Sequence, residues 1–315
     1  MSDVKRAVTT RATGDAPQDD VDSVGLTDGL AKLIGKTLMV LPRVSPARWI
    51  QRRFRCTLDA GGAERFTVNS HDGVALDALR LRGVKGGERP AVVMSHGWME
   101  IKECQLRQAR MVSEAGHDVI LFDHRAHGRS EGQYTTFGVH ERHDARAVID
   151  AAEQRAWLPH GVVTMGLSLG AATVIMEAAD DPRVRGVIAI APFTSFADAI
   201  DSYRRLYVPP ASTPWAVRGF KRALRDAGVE LLEADVLGHA RRLNRPVLVA
   251  VGERDRNLPG AVHAKRIAEA IGEPWATWCD VPGADHFNVC RRRWPGFDEA
   301  VLAFLDRVSA GGHAG

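Results

Sequence analysis

The stretch GVVTMGLSLGAAT, Gly161 to Thr173, sets one serine between two glycines where an apolar run gives way to small residues. "VVTM" is short, β-branched and uninterrupted, the pattern of a strand buried on both faces. "AATVIMEAAD" reads as a helix. Between them Gly166-Leu167-Ser168-Leu169-Gly170 has the form G-x-S-x-G. A strand that turns sharply into a helix holds its apical serine in a strained conformation and lifts the hydroxyl clear of the sheet. Side chains at Gly166 or Gly170 would crowd the neighbouring strand or helix. The helix behind the turn opens with backbone N–H groups aimed at the same space, which suits a developing anion. The competing reading of Ser168 is a helix N-cap, which requires no partners.

Working outward, the same rhythm recurs. "RFTVNSHDGVALDALRLRG" is two β-rich runs flanking Asp72-Gly73, a hairpin signal. "PAVVMSHG", "HDVILFDHRAHGRS", "VRGVIAIAPF", "RPVLVAVGERD" and "ATWCDVPGADH" are further apolar runs with polar exits. Helical segments such as "QLRQARMVSEAG" and "HERHDARAVIDAAEQRAW" fall between most of them. Short runs alternating with helices predict βαβ units: an α/β fold with a mostly parallel central sheet and helices on both faces.

In such a sheet chemistry collects at the C-terminal strand ends. The residues there include Ser95, His96, Gly97 and Trp98, then Asp123, His124 and Arg125, then Ser168, then Glu253 and Asp255, then Asp285 and His286. A serine hydroxyl is a weak nucleophile until a base takes its proton. His286 is the expected base, and Asp255 the residue that fixes its tautomer. Glu253 and Asp285 are rival acids. Asp255 is preferred because it sits later in its loop, before a helix start expected at Leu258-Pro259, and because Asp285 adjoins His286 in sequence.

The blocks "VVMSHGW", "VILFDHRAHGRSEG", "GLSLGAA", "VLVAVGERD" and "VPGADH" resemble, in order, those of the α/β-hydrolase superfamily in its serine-hydrolase branch. The likeness is to lysophospholipase-like, monoglyceride-lipase-like and serine-aminopeptidase-like members with a small helical lid, and spans about Ala91 to His286. Ala126 departs from the commoner "RGHG". The resemblance implies an oxyanion hole from the amides of Leu169 and Trp98, with Gly97 as the alternative to Trp98. It implies cleavage of a carboxylic ester through an acyl-enzyme, without a cofactor. A peptidase, thioesterase, acyltransferase or non-catalytic binding protein on the same fold is the alternative.

The remaining features mark boundaries and exclusions. The chain has 315 residues, 45% hydrophobic, with a formal charge of +3 and no aromatic-interleaved basic stripe, so no nucleic-acid partner is expected. Cys56, Cys104, Cys279 and Cys290 form no C-x-x-C pair and read as free thiols. Residues 1–25 read as a disordered tail and no secretory signal. Residues 26–60 read as a helical segment whose amphipathic part, 26–53, docks on the main domain or touches a membrane surface. Residues 61–193 and 245–310 are the two parts of the core, and 194–244 a lid insertion. No run is long enough to span a bilayer, and a cytoplasmic protein is expected. No metal site is expected, because His140-Glu141-Arg142-His143 is H-E-x-H and lacks the i, i+4 spacing of zinc proteases. His96 and His127 are expected to make structural hydrogen bonds. Cys290 and the "RRRW" run are expected to form a solvated surface.

Overall fold

The computed structural model describes residues 63–84, 88–207, 221–222, 225–226 and 234–311. The expected tail and N-terminal helical segment lie outside them. Eight strands form one sheet: β1 (Ala63–Asn69), β2 (Ala75–Leu81), β3 (Ala91–Ser95), β4 (Val119–Phe122), β5 (Val162–Leu167), β6 (Val184–Ile190), β7 (Val247–Gly252) and β8 (Ala276–Val281). The spatial order is β1-β2-β4-β3-β5-β6-β7-β8. β1 and β2 pair antiparallel, β2 runs antiparallel to β4, and every later pair is parallel. The Asp72-Gly73 hairpin forms as read. Gly73 N–H donates to the Ser70 carbonyl at 2.9 Å, and Gly73 takes the positive φ of 84° that this turn needs.

The described helices are α1 (Leu106–Glu114), α2 (Glu141–Gln154), α3 (Leu169–Ala178), α4 (Phe196–Tyr207), α5 (Val236–Ala240), α6 (Ala264–Ile271) and α7 (Pro295–Gly311). Strand alternation divides the core in two. Val93, Ile120, Phe122 and Val187 pack with α2, α3, α5 and α6 on one face. Val92, Met94, Leu121 and Met165 pack with α1 and α7 on the other. β3, β4, β5 and β7 are buried at every position, which is why they read as unbroken apolar runs. All ten residues of α3 are also buried, so it shows no polar face.

The segment between β6 and β7 contains α4 and α5, and residues 208–220, 223–224 and 227–233 of the expected lid lie outside the described residues. The helix expected to open at Leu258-Pro259 begins at Ala264 instead. Pro259 and Gly260 form a turn before it: the Val262 and His263 N–H groups both donate to the Pro259 carbonyl. Among the described residues no helix is long and apolar enough to cross a membrane.

Candidate active site

β5 lies in the middle of the sheet, and its register pairs Ser95 of β3 with Gly166. The chain leaves β5 through Ser168, which has φ 54° and ψ −111°, outside the regions open to ordinary side chains. Two hydrogen bonds hold it there. Ser168 N–H donates to the Ile190 carbonyl at 2.9 Å, and Ala172 N–H to the Ser168 carbonyl at 3.0 Å. The glycines are required by contact. A Cβ on Gly166 would fall within 3.0 Å of the Gly170 carbonyl, and one on Gly170 would press into the Ser95 carbonyl where β3 ends. The Ser168 side chain makes no cap bond to its own helix.

It meets a histidine instead. His286 Nε2 stands 3.1 Å from Ser168 Oγ, and His286 Nδ1 lies 2.7 Å from Asp255 Oδ2. All three residues are buried. The other Asp255 oxygen accepts the N–H groups of Asn257 and Leu258, both at 2.9 Å, so the carboxylate is fixed as a pure acceptor. That network puts the imidazole proton on Nδ1 and leaves Nε2 to accept from the serine. The rival acids are engaged elsewhere. Glu253 accepts the Gly283 N–H at 2.9 Å. Asp285 accepts the Phe287 and Asn288 N–H groups, and so shapes the turn that carries His286.

The loop after β3 faces the elbow. Gly97 N–H donates to Glu100 Oε2 at 3.0 Å, whereas among the described residues the amides of Trp98 and Leu169 meet no acceptor. Met99, next in the turn, has φ 65° and donates its N–H to His127 Nε2 at 3.3 Å. His96 donates from Nδ1 to the Gly97 carbonyl and accepts at Nε2 from the His124 amide. His127 donates from Nδ1 to the Arg125 carbonyl. Ser95 Oγ lies 2.8 Å from His124 Nε2. Burial first, and mutual repulsion second, push the His96 and His124 pKa values down, that of His124 to about 3; burial does the same for His127. These histidines are therefore neutral struts of the loops.

Sequence reading missed the ionic floor beneath those loops. Lys102 is wholly buried, with Nζ 2.6 Å from Asp123 Oδ2 and 2.5 Å from Asp77 Oδ2. Arg125 is buried against Asp144 and reaches Asp72 at the hairpin. Glu141 is buried too. It accepts from Thr135 Oγ1 and from both the amide and hydroxyl of Thr136; burial pushes its pKa up, but nearby Arg125, His124 and the Thr136 hydrogen bonds outweigh it and hold the pKa at about 2. No local pattern marks these charges as buried, because the groups that pair with them come from other parts of the chain. Cys290 corrects another expectation, because it is buried in the core while Arg291–Arg293 stay at the surface. Among the described residues His71, Asp72 and His140 could offer three ligand atoms to a cation, but Asp72 is already paired with Arg125.

Fold and site together define an enzyme of the α/β-hydrolase superfamily, a hydrolase with esterase- and peptidase-like relatives. Residues 72–269 match the X-Pro dipeptidyl-peptidase (S15 family), and the chain belongs to that family. It is 28% identical over 226 residues to the uncharacterized protein Rv2307c of Mycobacterium tuberculosis, covering 70% of each chain. It is 32% identical over 137 residues to the thiohydrolase aneE of Aspergillus aculeatus, covering 41% of this chain and 43% of that one. The solved esterase Pf2001 of Pyrococcus furiosus shares the fold at a TM-score of 0.63 and 19% identity, over 82% of this chain and 93% of its own.

Proposed function

We propose that the chain is a serine hydrolase that cleaves a small-molecule carboxylic ester through an acyl-enzyme. The observation that carries this reading is the continuous contact from Ser168 Oγ to His286 Nε2, and from His286 Nδ1 to Asp255 Oδ2, at 3.1 and 2.7 Å. Ser168 Oγ attacks the carbonyl carbon while His286 Nε2 takes its proton. Asp255 holds the proton on Nδ1 and stabilises the imidazolium. The developing oxyanion accepts the Leu169 and Trp98 N–H groups. Gly97 is not used in that role because its N–H is committed to Glu100. His286 then protonates the leaving group and activates the water that releases the acid. Each oxyanion donor contributes about 10²–10³ in rate. No cofactor enters these steps.

A fluorophosphonate probe tests the nucleophile. Wild type labels and Ser168→Ala does not; labelling that survives the substitution removes Ser168 from the role. The leaving group is the finer question. The family's description names a dipeptidyl-peptidase, and one relative is a thiohydrolase. A panel of p-nitrophenyl esters, aminoacyl p-nitroanilides and acyl thioesters ranks the three by kcat/KM, and the ester reading fails if either other class leads. Residues 194–244 act as the lid in this reading, and residues 26–53 give any peripheral membrane contact. Removing 26–53 then lowers co-sedimentation with vesicles, and an unchanged bound fraction dismisses that role.

A further inference from the structure

The loop that offers Trp98 and the loop that carries His286 come from opposite ends of the chain, and one carboxylate touches both. Glu100 is buried. Its Oε2 accepts the Gly97 N–H at 3.0 Å, and its Oε1 accepts Arg291 Nη2 at 2.7 Å. Glu100 N–H donates back to the Gly97 carbonyl at 3.1 Å, so residues 97–100 close on themselves through both main chain and side chain. A Cβ on Gly97 would stand 3.1 Å from Glu100 Oε2, so the carboxylate packs directly over that glycine.

Arg291 is equally well tied to the histidine. Asp285 and Asn288 exchange hydrogen bonds, with Asp285 N–H donating to Asn288 Oδ1 at 3.0 Å and Asn288 Nδ2 to Asp285 Oδ2 at 2.7 Å. Arg291 N–H then donates to the Asn288 carbonyl at 3.1 Å. From Asp285 to Arg291 these bonds close the chain into turns, so the backbone that carries the guanidinium is linked to the backbone that carries the imidazole.

We propose that Glu100 and Arg291 are positioning residues: together they hold the Trp98 amide and His286 at fixed separation across the site. The proposal rests on the serine-hydrolase reading above. Glu100 turns the Gly97 N–H away from the substrate and leaves the Trp98 N–H as the donor. Its negative charge, placed near a forming oxyanion, would oppose catalysis were it not balanced, and Arg291 supplies the balance. The two ends are therefore unequal. Losing Arg291 leaves a buried carboxylate uncompensated, whereas an amide in place of Glu100 keeps an acceptor for Gly97 and removes the charge.

The test uses the full chain and three readouts: the second-order rate of fluorophosphonate labelling at Ser168, kcat and KM for p-nitrophenyl acetate, and the melting temperature. Glu100→Ala and Arg291→Met each lower the labelling rate and kcat by about 10–100-fold, with KM within about twofold. Glu100→Gln keeps an acceptor for Gly97 but turns its amide NH2 toward Arg291, so it loses the bridge without stranding a charge and lies between wild type and Glu100→Ala. Glu100→Gln combined with Arg291→Met is no worse than Arg291→Met alone, because the uncompensated charge is gone. Should Glu100→Ala fail to fold, Arg291→Met and the double variant carry the comparison. Wild-type labelling rates in folded Arg291→Met and Glu100→Ala overturn the proposal, as does a loss that tracks only the folded fraction. A wild type that labels, with variants unaffected, rejects the bridge alone; a wild type that does not label rejects the serine-hydrolase reading as well.

Discussion

Replacing Ser168 by glycine should make the protein more stable than replacing it by alanine. Ser168 holds φ 54° and ψ −111°, a conformation that a Cβ disfavours and a glycine does not. Alanine removes the hydroxyl but keeps the Cβ and its strain. Residues forced into such regions cost about 1–3 kcal/mol. Glycine returns some of that gain, because its freer unfolded chain costs about 0.5–1 kcal/mol on folding. The difference left is about 1 kcal/mol in favour of Ser168→Gly. For a domain of this size that is roughly 2–4 °C in melting temperature. The Oγ contributes nothing to the comparison, since both variants lack it and its contact with His286. Paired thermal and urea unfolding of the two variants provides the measurement. Equal stability, or a more stable alanine variant, would falsify the view that the elbow stores backbone strain.

Three further outcomes follow from the same geometry. Asp255→Asn should fold normally yet lose about 10³–10⁴ in kcat, because an amide can donate to His286 Nδ1 and turn the ring proton onto Nε2; steady-state kinetics check it, and a loss below tenfold contradicts the assigned role. Lys102→Met should destabilise by about 3–5 kcal/mol, because it strands Asp77 and Asp123 around a buried site; urea unfolding with a loss under about 1 kcal/mol would refute it. His124 is neutral when folded, with its pKa pushed down to about 3 by burial and by His127, so it takes up a proton only on unfolding as pH drops below about 6.5. Its contribution is therefore whole above that pH and declines on acidification. Between about pH 6.5 and 4.5 the stability of wild type should fall by roughly 2–3 kcal/mol more than that of His124→Gln, at about 1.36 kcal/mol per pH unit. Parallel profiles would show that His124 does not couple to folding.

The parts of this protein legible in its sequence are those where one local rule acts alone. β5 and β7 are buried on both faces, so their residues are apolar without alternation. Gly166 and Gly170 read as obligatory because backbone approaches their missing side chains from inside the same short segment and from β3. The order Ser168, Asp255, His286 was visible because each follows a recognisable run. Other features depend on which segments meet across the sheet. Lys102, Arg125 and Glu141 look like ordinary surface charges until β2, β4 and the loops after them enclose them. Glu100 and Arg291 lie 191 residues apart, and neither local pattern announces the other. Cys290 sits beside three arginines and was read with them, yet the chain turns inward at that residue, and Gln108 Nε2 donates to its carbonyl. The helix expected at Leu258 begins later because His263 and Val262 first close a turn on Pro259.

The spacing of the contacting residues has a meaning in time as well as in space. Ser168 precedes its histidine partner by 118 residues, and β7 and β8 are the last strands added to the sheet's far side. At a synthesis rate of about 5–20 residues per second, the elbow leaves the ribosome roughly 6–24 s before the base that would arm it. Throughout that interval the nascent chain carries the serine without the proposed base. A chain cut short before β8 would lack the proposed base. In the proposed mechanism activity therefore waits until the chain has been made through His286, well after the elbow itself.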